Sequence, residues 1–227
     1  MERRLDGGAL SVTEINRLLR SAPDDHWMLE RPAGRHNLAV AVEGGGSLVV
    51  RGSVGAYCAG MNNGLDVNVE GSAGWGLAEN NEGGTVIVDG SAGAGAGASM
   101  RRGAVVVRGS ADVRAGISMK GGLLVVGGNA GAMCGFMHQR GTIVVCGDAG
   151  RGVGDSMYEG IVLVGGEIRA PGNDVRIERP DADDERVLDE AARLLGDGLL
   201  DRDWKKLVAG RRLWYFTKEN MAMWREM

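Results

Sequence analysis

Residues 83–101 read Gly-Gly-Thr-Val-Ile-Val-Asp-Gly-Ser-Ala-Gly-Ala-Gly-Ala-Gly-Ala-Ser-Met-Arg. The same pattern returns every nineteen residues and is marked by a glycine two positions after a valine. A unit this short cannot bury an apolar face alone, so successive units must stack on one another. The repeat therefore predicts a solenoid through the middle of the chain. Its marker glycines are Gly52, Gly71, Gly90, Gly109, Gly128, Gly147 and Gly166.

Each unit contains a short strand, which is Val86-Ile87-Val88 in the quoted stretch. The positions equivalent to 86 and 88 are apolar in every unit, whereas the position between them is Asn68 in one unit. An alternation with a period of two is typical of a strand that buries one face. We expect the two apolar columns to face the interior, and the middle column to face outward or toward a covering element.

Glycines also recur at the corners of the repeat, as at Gly84 and Gly103. Fixed glycines fit corners that need a positive φ or a close approach of two backbones. The Ser, Asn or Asp after the first six marker glycines suits a turn, because its side chain can hydrogen-bond locally. These signals predict an all-β fold: a single-stranded right-handed parallel β-helix of about seven 19-residue coils, with short helical N- and C-terminal appendages.

This pattern divides the chain into three segments. Residues 1–43 hold an N-terminal helix and the segment that enters the β-helix, residues 44–168 form the β-helix, and residues 169–227 form a helical and aromatic C-terminal cap. Ser11 and Glu14 make a capping box for a helix over residues 11–20. Residues 38–42 are expected to be the entering strand. An amphipathic helix that includes Val187, Leu188, Ala191, Leu194 and Leu195 should stop at Gly196.

The C-terminal cap contains an aromatic stretch that ends in Leu-Trp-Tyr-Phe at residues 213–216. One interpretation is a cap that packs on the last coil. The other is a docking surface for a partner, since Trp, Tyr and Arg favour interface cores. The residues that would form this partner interface are Arg211, Trp214, Tyr215 and Phe216.

The composition excludes several classes of function. The net charge is −4 without a basic block, so a nucleic-acid partner has no electrostatic support. No apolar run approaches the roughly 20 residues that cross a bilayer, and the N-terminus lacks the apolar segment of a secretion signal. We expect a cytoplasmic protein. Cys58 and Cys134 fall four coils apart, too far for a disulfide, so these and Cys146 are expected to be buried thiols.

The sequence contains only weak matches to nucleotide-binding, metal-binding or catalytic motifs. The Gly-Ala-Gly-Ala-Gly run at 93–97 lacks the following helix of a dinucleotide site. His26, His36 and His138 have no metal-ligand spacing, and we expect a stacked or surface imidazole at His138. The acids Glu79, Asp148 and Asp155 lie on corners, where they are expected to be solvated or to cap turns. The sequence predicts no catalytic, cofactor-binding or metal-ligating residue.

The pattern Gly-X-X-X-Gly-X-X-Met-X-X-Gly-X-Ile-Val-Val-X-Gly-Asp-Ala-Gly at residues 131–150 resembles the GXGXG-motif β-helix family, over roughly residues 36–166. That family includes the C-terminal domain of the glutamate synthase large subunit and the β-helix subunit of formylmethanofuran dehydrogenase. Residues 34–40 and the tail at 208–216 resemble a narrower group of stand-alone subunits, such as the β-helix subunit of N-methylglutamate synthase. The Gly-Asp-His-X-X-Glu-Tyr-Met segment of large glutamate synthase chains is absent; residues 128–137 stand in its place.

The resemblance implies a non-catalytic structural subunit of a multi-subunit glutamate synthase-like complex, with N-methylglutamate synthase as the first choice. The implied partners are a class II glutamine amidotransferase-like subunit and an FMN and iron–sulfur synthase subunit. FMN and the iron–sulfur cluster would be bound by that partner and not by this chain. The alternative is the β-helix subunit of a formylmethanofuran dehydrogenase or formyltransferase/hydrolase complex. A free-standing enzyme with a groove of clustered acids and bases fits the Gly, Ala, Ser and Met columns poorly.

Overall fold

The computed structural model describes residues 2–196 and 202–210, and its main feature is a long ladder of short parallel strands. Eleven strands form one sheet in the order β1-β2-β3-β4-β5-β6-β7-β8-β10-β13-β12, and β9 pairs with β11. The described residues form β1 Glu2–Asp6, α1 Val12–Ser21, β2 His26–Glu30, β3 Ser47–Arg51, β4 Asp66–Val69, β5 Thr85–Val88, β6 Ala104–Val107, β7 Lys120–Val126, β8 Arg140–Val145, β9 Ala149–Val153, β10 Ile161–Val164, β11 Ile168–Pro171, β12 Val175–Glu178, α2 Ala182–Leu195 and β13 Lys205–Ala209.

The strands pair at the period that the sequence predicts. Val67 lies opposite Val86 and Val105 lies opposite Leu124, each nineteen residues apart, and the pairing is parallel. A second line of parallel bridges joins Ala73, Ala92, Ala111, Ala130 and Ala149 in successive coils. The parallel β-helix is therefore confirmed. With the N-terminal strands included it has about eight turns.

The N-terminal part of the ladder differs from the expectation. Residues 38–42 are not a strand: they form a turn in which Ala39 and Ala41 have positive φ. The strand that precedes β3 is β2, and β1 lies beyond it. His26 pairs with Ser47, twenty-one residues further on, so this turn departs from the nineteen-residue period. The apolar residues Leu38 and Val42 mark the buried positions of that turn rather than one face of a strand.

One side of every coil has an alternating left-handed backbone. Tyr57, Ala59 and Met61 have φ of 59°, 54° and 54°. The equivalent residues two coils later, Gly95 and Gly97, have φ of 70° and 67°. Glycine adopts this conformation without a steric penalty, which explains why glycines are frequent on this side of the coils. We call this side, residues 56–61 and their equivalents, the left-handed face.

The marker glycines are needed for a different reason. The amide of Gly128 donates to the carbonyl of Gly109 at 2.8 Å, and the amide of Gly109 donates to Gly90 at 2.9 Å. A Cβ at Gly128 would lie 3.0 Å from the Gly109 oxygen and 2.5 Å from Ser110 Oγ. Successive corners therefore stack too closely for any side chain.

The core occupies the inside of the coils. The columns of Val86 and Val88 are buried from β3 to β10, as the alternation predicts. The middle column faces outward and splits into two halves. Val106, Val125, Val144 and Leu163 are buried under helix α2 against Leu188, Ala191 and Leu195, whereas Val49, Asn68 and Ile87 stay half-buried. Both expected alternatives for the middle column therefore occur: α2 covers its C-terminal half, and its N-terminal half faces outward.

The flanking segments extend the ladder at both ends, where β1 and β12 are its outermost strands. Helix α1 begins with the Ser11–Glu14 capping box, as predicted. Its buried Asn16 donates to the Asn37 carbonyl at 2.7 Å and accepts from the Ala39 amide at 2.8 Å, so it takes the place of a preceding coil. At the other end β13 pairs antiparallel with β10. Helix α2 ends at Gly196, whose φ of 75° confirms the predicted stop.

Candidate functional site

The polar residues at the corners form a ladder along the solenoid. Each side-chain oxygen accepts a hydrogen bond from the backbone amide one coil further on, at 2.8–3.2 Å. Asp148 accepts from the Glu167 amide at 2.9 Å. Asp155 accepts from both nitrogens of Asn173, and the Asn173 amide together with Ser156 lowers the pKa of this carboxyl. Asp148 and Asp155 therefore cap turns, as predicted. The ladder runs through Ser53, Ser72, Ser91, Ser110, Asn129 and Asp148.

One buried column mixes polar and apolar side chains. Asn62 donates to Asn81 at 3.0 Å. His138 is fully buried in the same column, and its Nε2 lies 3.0 Å from the Arg140 carbonyl. Within the described residues Nδ1 of His138 has no hydrogen-bond partner. Burial lowers the pKa of His138 to about 4. The imidazole is therefore neutral and stacked, with Met119 and Met157 as the neighbouring members of its column.

The remaining candidates show structural roles. Cys58, Cys134 and Cys146 are buried thiols, and burial raises the pKa of Cys58 and Cys134 to about 12. His36 Nδ1 accepts from the Ala56 amide at 2.7 Å, and His26 Nδ1 lies 2.8 Å from Ser47 Oγ. In the part of the chain that the structure describes, no group of three or more His, Cys, Asp or Glu residues is arranged to hold a metal ion.

The glycine run at 93–97 is part of the solenoid. Gly95 and Gly97 have positive φ on the left-handed face, and the coil continues into β6 rather than into a helix. The run therefore lacks the helix N-terminus that a dinucleotide site needs. Glu79, the third corner acid, is half-buried on the same face.

An ion-pair cluster that the sequence did not reveal holds helix α2 on the sheet. Lys206 Nζ lies 2.8 Å from Asp181 and 2.7 Å from Asp184. Lys206 and Asp184 are buried, and the bond with Lys206 lowers the pKa of Asp181 to about 2. Asp181 and Asp184 form the capping box of α2. That box is visible in the sequence, but nothing local indicates a lysine partner twenty-odd residues away.

Open grooves flank the covering helix and the ends. One of 520 Å³ runs between the outer face of the sheet and α2, lined by Thr85, Leu123 and Val187. Another of 530 Å³ lies beside α1, near Arg20, Arg35 and His36. Among the described residues that line these two grooves, no nucleophile lies together with an acid–base pair.

Most of the large apolar side chains that are exposed among the described residues lie on the left-handed face. Six large hydrophobic side chains are exposed among the described residues, and five of them lie here. Trp75 is the most exposed at 59%, and its ring centroid is 6.0 Å from that of Tyr57. The sequence did not predict this surface because its apolar residues do not recur from coil to coil. The five are Tyr57, Met61, Trp75, Val113 and Met137.

The tail residues that the sequence offered as a partner interface, Arg211, Trp214, Tyr215 and Phe216, lie outside the described residues. Their interpretation as a cap or a docking surface stays a prediction. The marker glycines Gly52 to Gly166 all lie in the described coils.

Two comparisons with known proteins found no match to this chain. No family model matches the chain, and no curated protein matches it either. Among the described residues, neither helix combines the length and the apolar character needed to cross a membrane.

Proposed function

We propose that the chain is a non-catalytic structural subunit of a multi-subunit glutamate synthase-like amidotransferase and oxidoreductase complex. Within that class, the proposal is N-methylglutamate synthase, which forms N-methylglutamate from methylamine and glutamate with release of ammonia. The observation that carries the proposal is the structural role of the residues that recur in each coil. Marker glycines, corner oxygens and strand valines are engaged in turning and stacking the chain.

A stacked solenoid suits the task of holding two other subunits at a set distance. Its coils follow the usual strand spacing of about 4.8 Å, so seven coils give a rod of about 34 Å. In this proposal a class II glutamine amidotransferase-like subunit and an FMN and iron–sulfur synthase subunit attach to the rod. The cofactors belong to that second partner. The complex is a cytoplasmic hetero-oligomer that binds neither nucleic acid nor membrane.

The proposal is tested by activity measurements on the purified chain. The chain alone is incubated with glutamine, and separately with glutamate and methylamine. We expect no turnover in either assay, and we expect synthase activity when the two partner chains are added. Turnover of glutamine or glutamate by the isolated chain would show that it is an enzyme in its own right.

A further inference from the structure

Five of the six large apolar side chains that are exposed among the described residues lie on the left-handed face. Tyr57, Trp75 and Met61 lie at its N-terminal end, and Val113 and Met137 lie further along the solenoid. Ala94 and Ala98 in the coil between them are small. The ring centroids of Tyr57 and Trp75 lie 6.0 Å apart, so these two side chains form one exposed aromatic cluster. Clustered exposed apolar side chains normally mark a binding site.

The described chain ends beside this face. Strand β13 runs antiparallel to β10 and continues to Gly210, whose amide donates to the Asp174 carbonyl. The neighbouring Asn173 donates to Asp155, which lies in the last coil of the left-handed face. The chain therefore leaves the solenoid at the C-terminal corner of that face, one coil away from Met137.

The segment that follows has the composition to cover the face. Residues 211–227 contain four of the chain's ten aromatic residues, together with a leucine and three methionines. The segment also carries six charged residues, so it is amphipathic. Its apolar side chains gain free energy when they leave water, at about 25 cal/mol for each Å² of apolar area. The aromatic residues are Trp214, Tyr215, Phe216 and Trp224.

The segment is also long enough. The coil of Asp155 lies five coils from that of Tyr57, a distance of about 24 Å at the usual strand spacing. Seventeen residues span about 25 Å as a helix and about 56 Å when extended. Either conformation reaches from the last described residue to the Tyr57–Trp75 pair.

We propose that residues 211–227 bind the left-handed face of their own chain and cover Tyr57, Trp75, Val113 and Met137. The tail, residues 211–227, then lies along the left-handed face of the solenoid. In this arrangement the tail is not the surface that holds a partner subunit, and the partners use another side of the rod.

The test is site-directed cross-linking in the full-length chain. Cysteines are introduced by Asp112→Cys, beside Val113 on the face, and by Thr217→Cys in the tail. The three native cysteines are buried and react slowly. A flexible bismaleimide should give a cross-linked monomer whose yield does not fall on dilution. The matched control is Glu70→Cys with Thr217→Cys, because the exposed Glu70 lies on another side of the solenoid; this pair should not cross-link.

A second measurement does not depend on whether the bismaleimide can bridge the two introduced cysteines. The chain truncated after Gly210 and carrying Asp112→Cys should react with a bulky maleimide several-fold faster than the full-length Asp112→Cys chain. A cross-linked dimer in place of a monomer would show that the tail binds a second copy, and would overturn the proposal. No cross-link together with unchanged labelling would overturn it as well. Neither result concerns the proposed scaffold function, which is tested by activity and by co-purifying chains.

Discussion

Inside the solenoid the two strand columns hold only Val, Leu or Ile from β3 to β10, whereas outside it the middle column changes from Asn68 to Leu163 along the rod. The inside is filled in the same way in every coil because each coil rests on a nearly identical neighbour. The outside differs because different elements cover it: α2 covers the C-terminal half and leaves the N-terminal half of the sheet open. The inside therefore specifies the fold, and the outside specifies what attaches to it.

The largest expected effect comes from a charge on the inside. Val126→Asp places a carboxylate among the fully buried residues Val107 and Val145, where an unpaired charge is costly. We expect no folded protein in size-exclusion chromatography and circular dichroism. The matched control is Val49→Asp on the outer column, which is half-buried and open; it should fold. If both variants fold equally well, the assignment of the two columns to inside and outside is wrong.

The second-largest expected effect concerns only helix α2, which packs on the outer face of the sheet. Lys206→Met leaves Asp184 buried without its cation, which should destabilise the attachment of α2 by about 3–5 kcal/mol. Hydrogen exchange should become fast in α2, while the amides of β5 and β6 stay protected. The control is Arg186→Met, which removes an exposed pair with Asp183 and should change stability by less than about 0.5 kcal/mol. Equal loss of protection in the coils would show that inside and outside unfold together.

The third effect is a pH dependence from inside the core. The folded pKa of His138 is lowered to about 4, whereas that of the unfolded chain is near 6.5. The unfolded chain therefore takes up a proton first as the pH falls, and His138 should lower the free energy of unfolding by up to about 3 kcal/mol between pH 6.5 and 4. His138→Met introduces the side chain that Met119 has in the same column. Denaturant unfolding should show a flatter pH profile for this variant.

The control for that measurement is His26→Gln, which changes an exposed histidine. An unchanged profile in His138→Met would show that the buried imidazole does not titrate differently in the folded chain.

The smallest effect tests the corners, where inside and outside meet. Gly128→Ala forces a methyl group against the Gly109 carbonyl and Ser110 Oγ, and we expect a loss of about 2 kcal/mol. Gly45→Ala is the matched control, because the nearest atom to its Cβ is 3.8 Å away. Thermal unfolding of both variants measures the difference. Equal melting temperatures would mean that the corners are looser than the hydrogen-bond ladder implies.

Structural features that recur in every coil can be predicted from the sequence, whereas contacts that occur only once cannot. The nineteen-residue period identified the strands of the coils and the facing of their buried columns, because each signal is repeated seven times. The strand β2 was missed because the position nineteen residues before Gly52 is Ala33 and the register between β2 and β3 is longer. The Lys206 cluster and the Tyr57–Trp75 pair were missed for the same reason: a single long-range contact leaves no period in the sequence.

The proposal on which the function depends is that this rod holds other subunits together. Its sharpest test is to isolate the chain from its native host under gentle conditions and to identify the proteins that co-purify with it. We expect a class II amidotransferase-like chain and a flavin and iron–sulfur synthase chain, both in fixed stoichiometry. Recovery of the chain alone, or together with a formyltransferase in their place, would contradict the proposal.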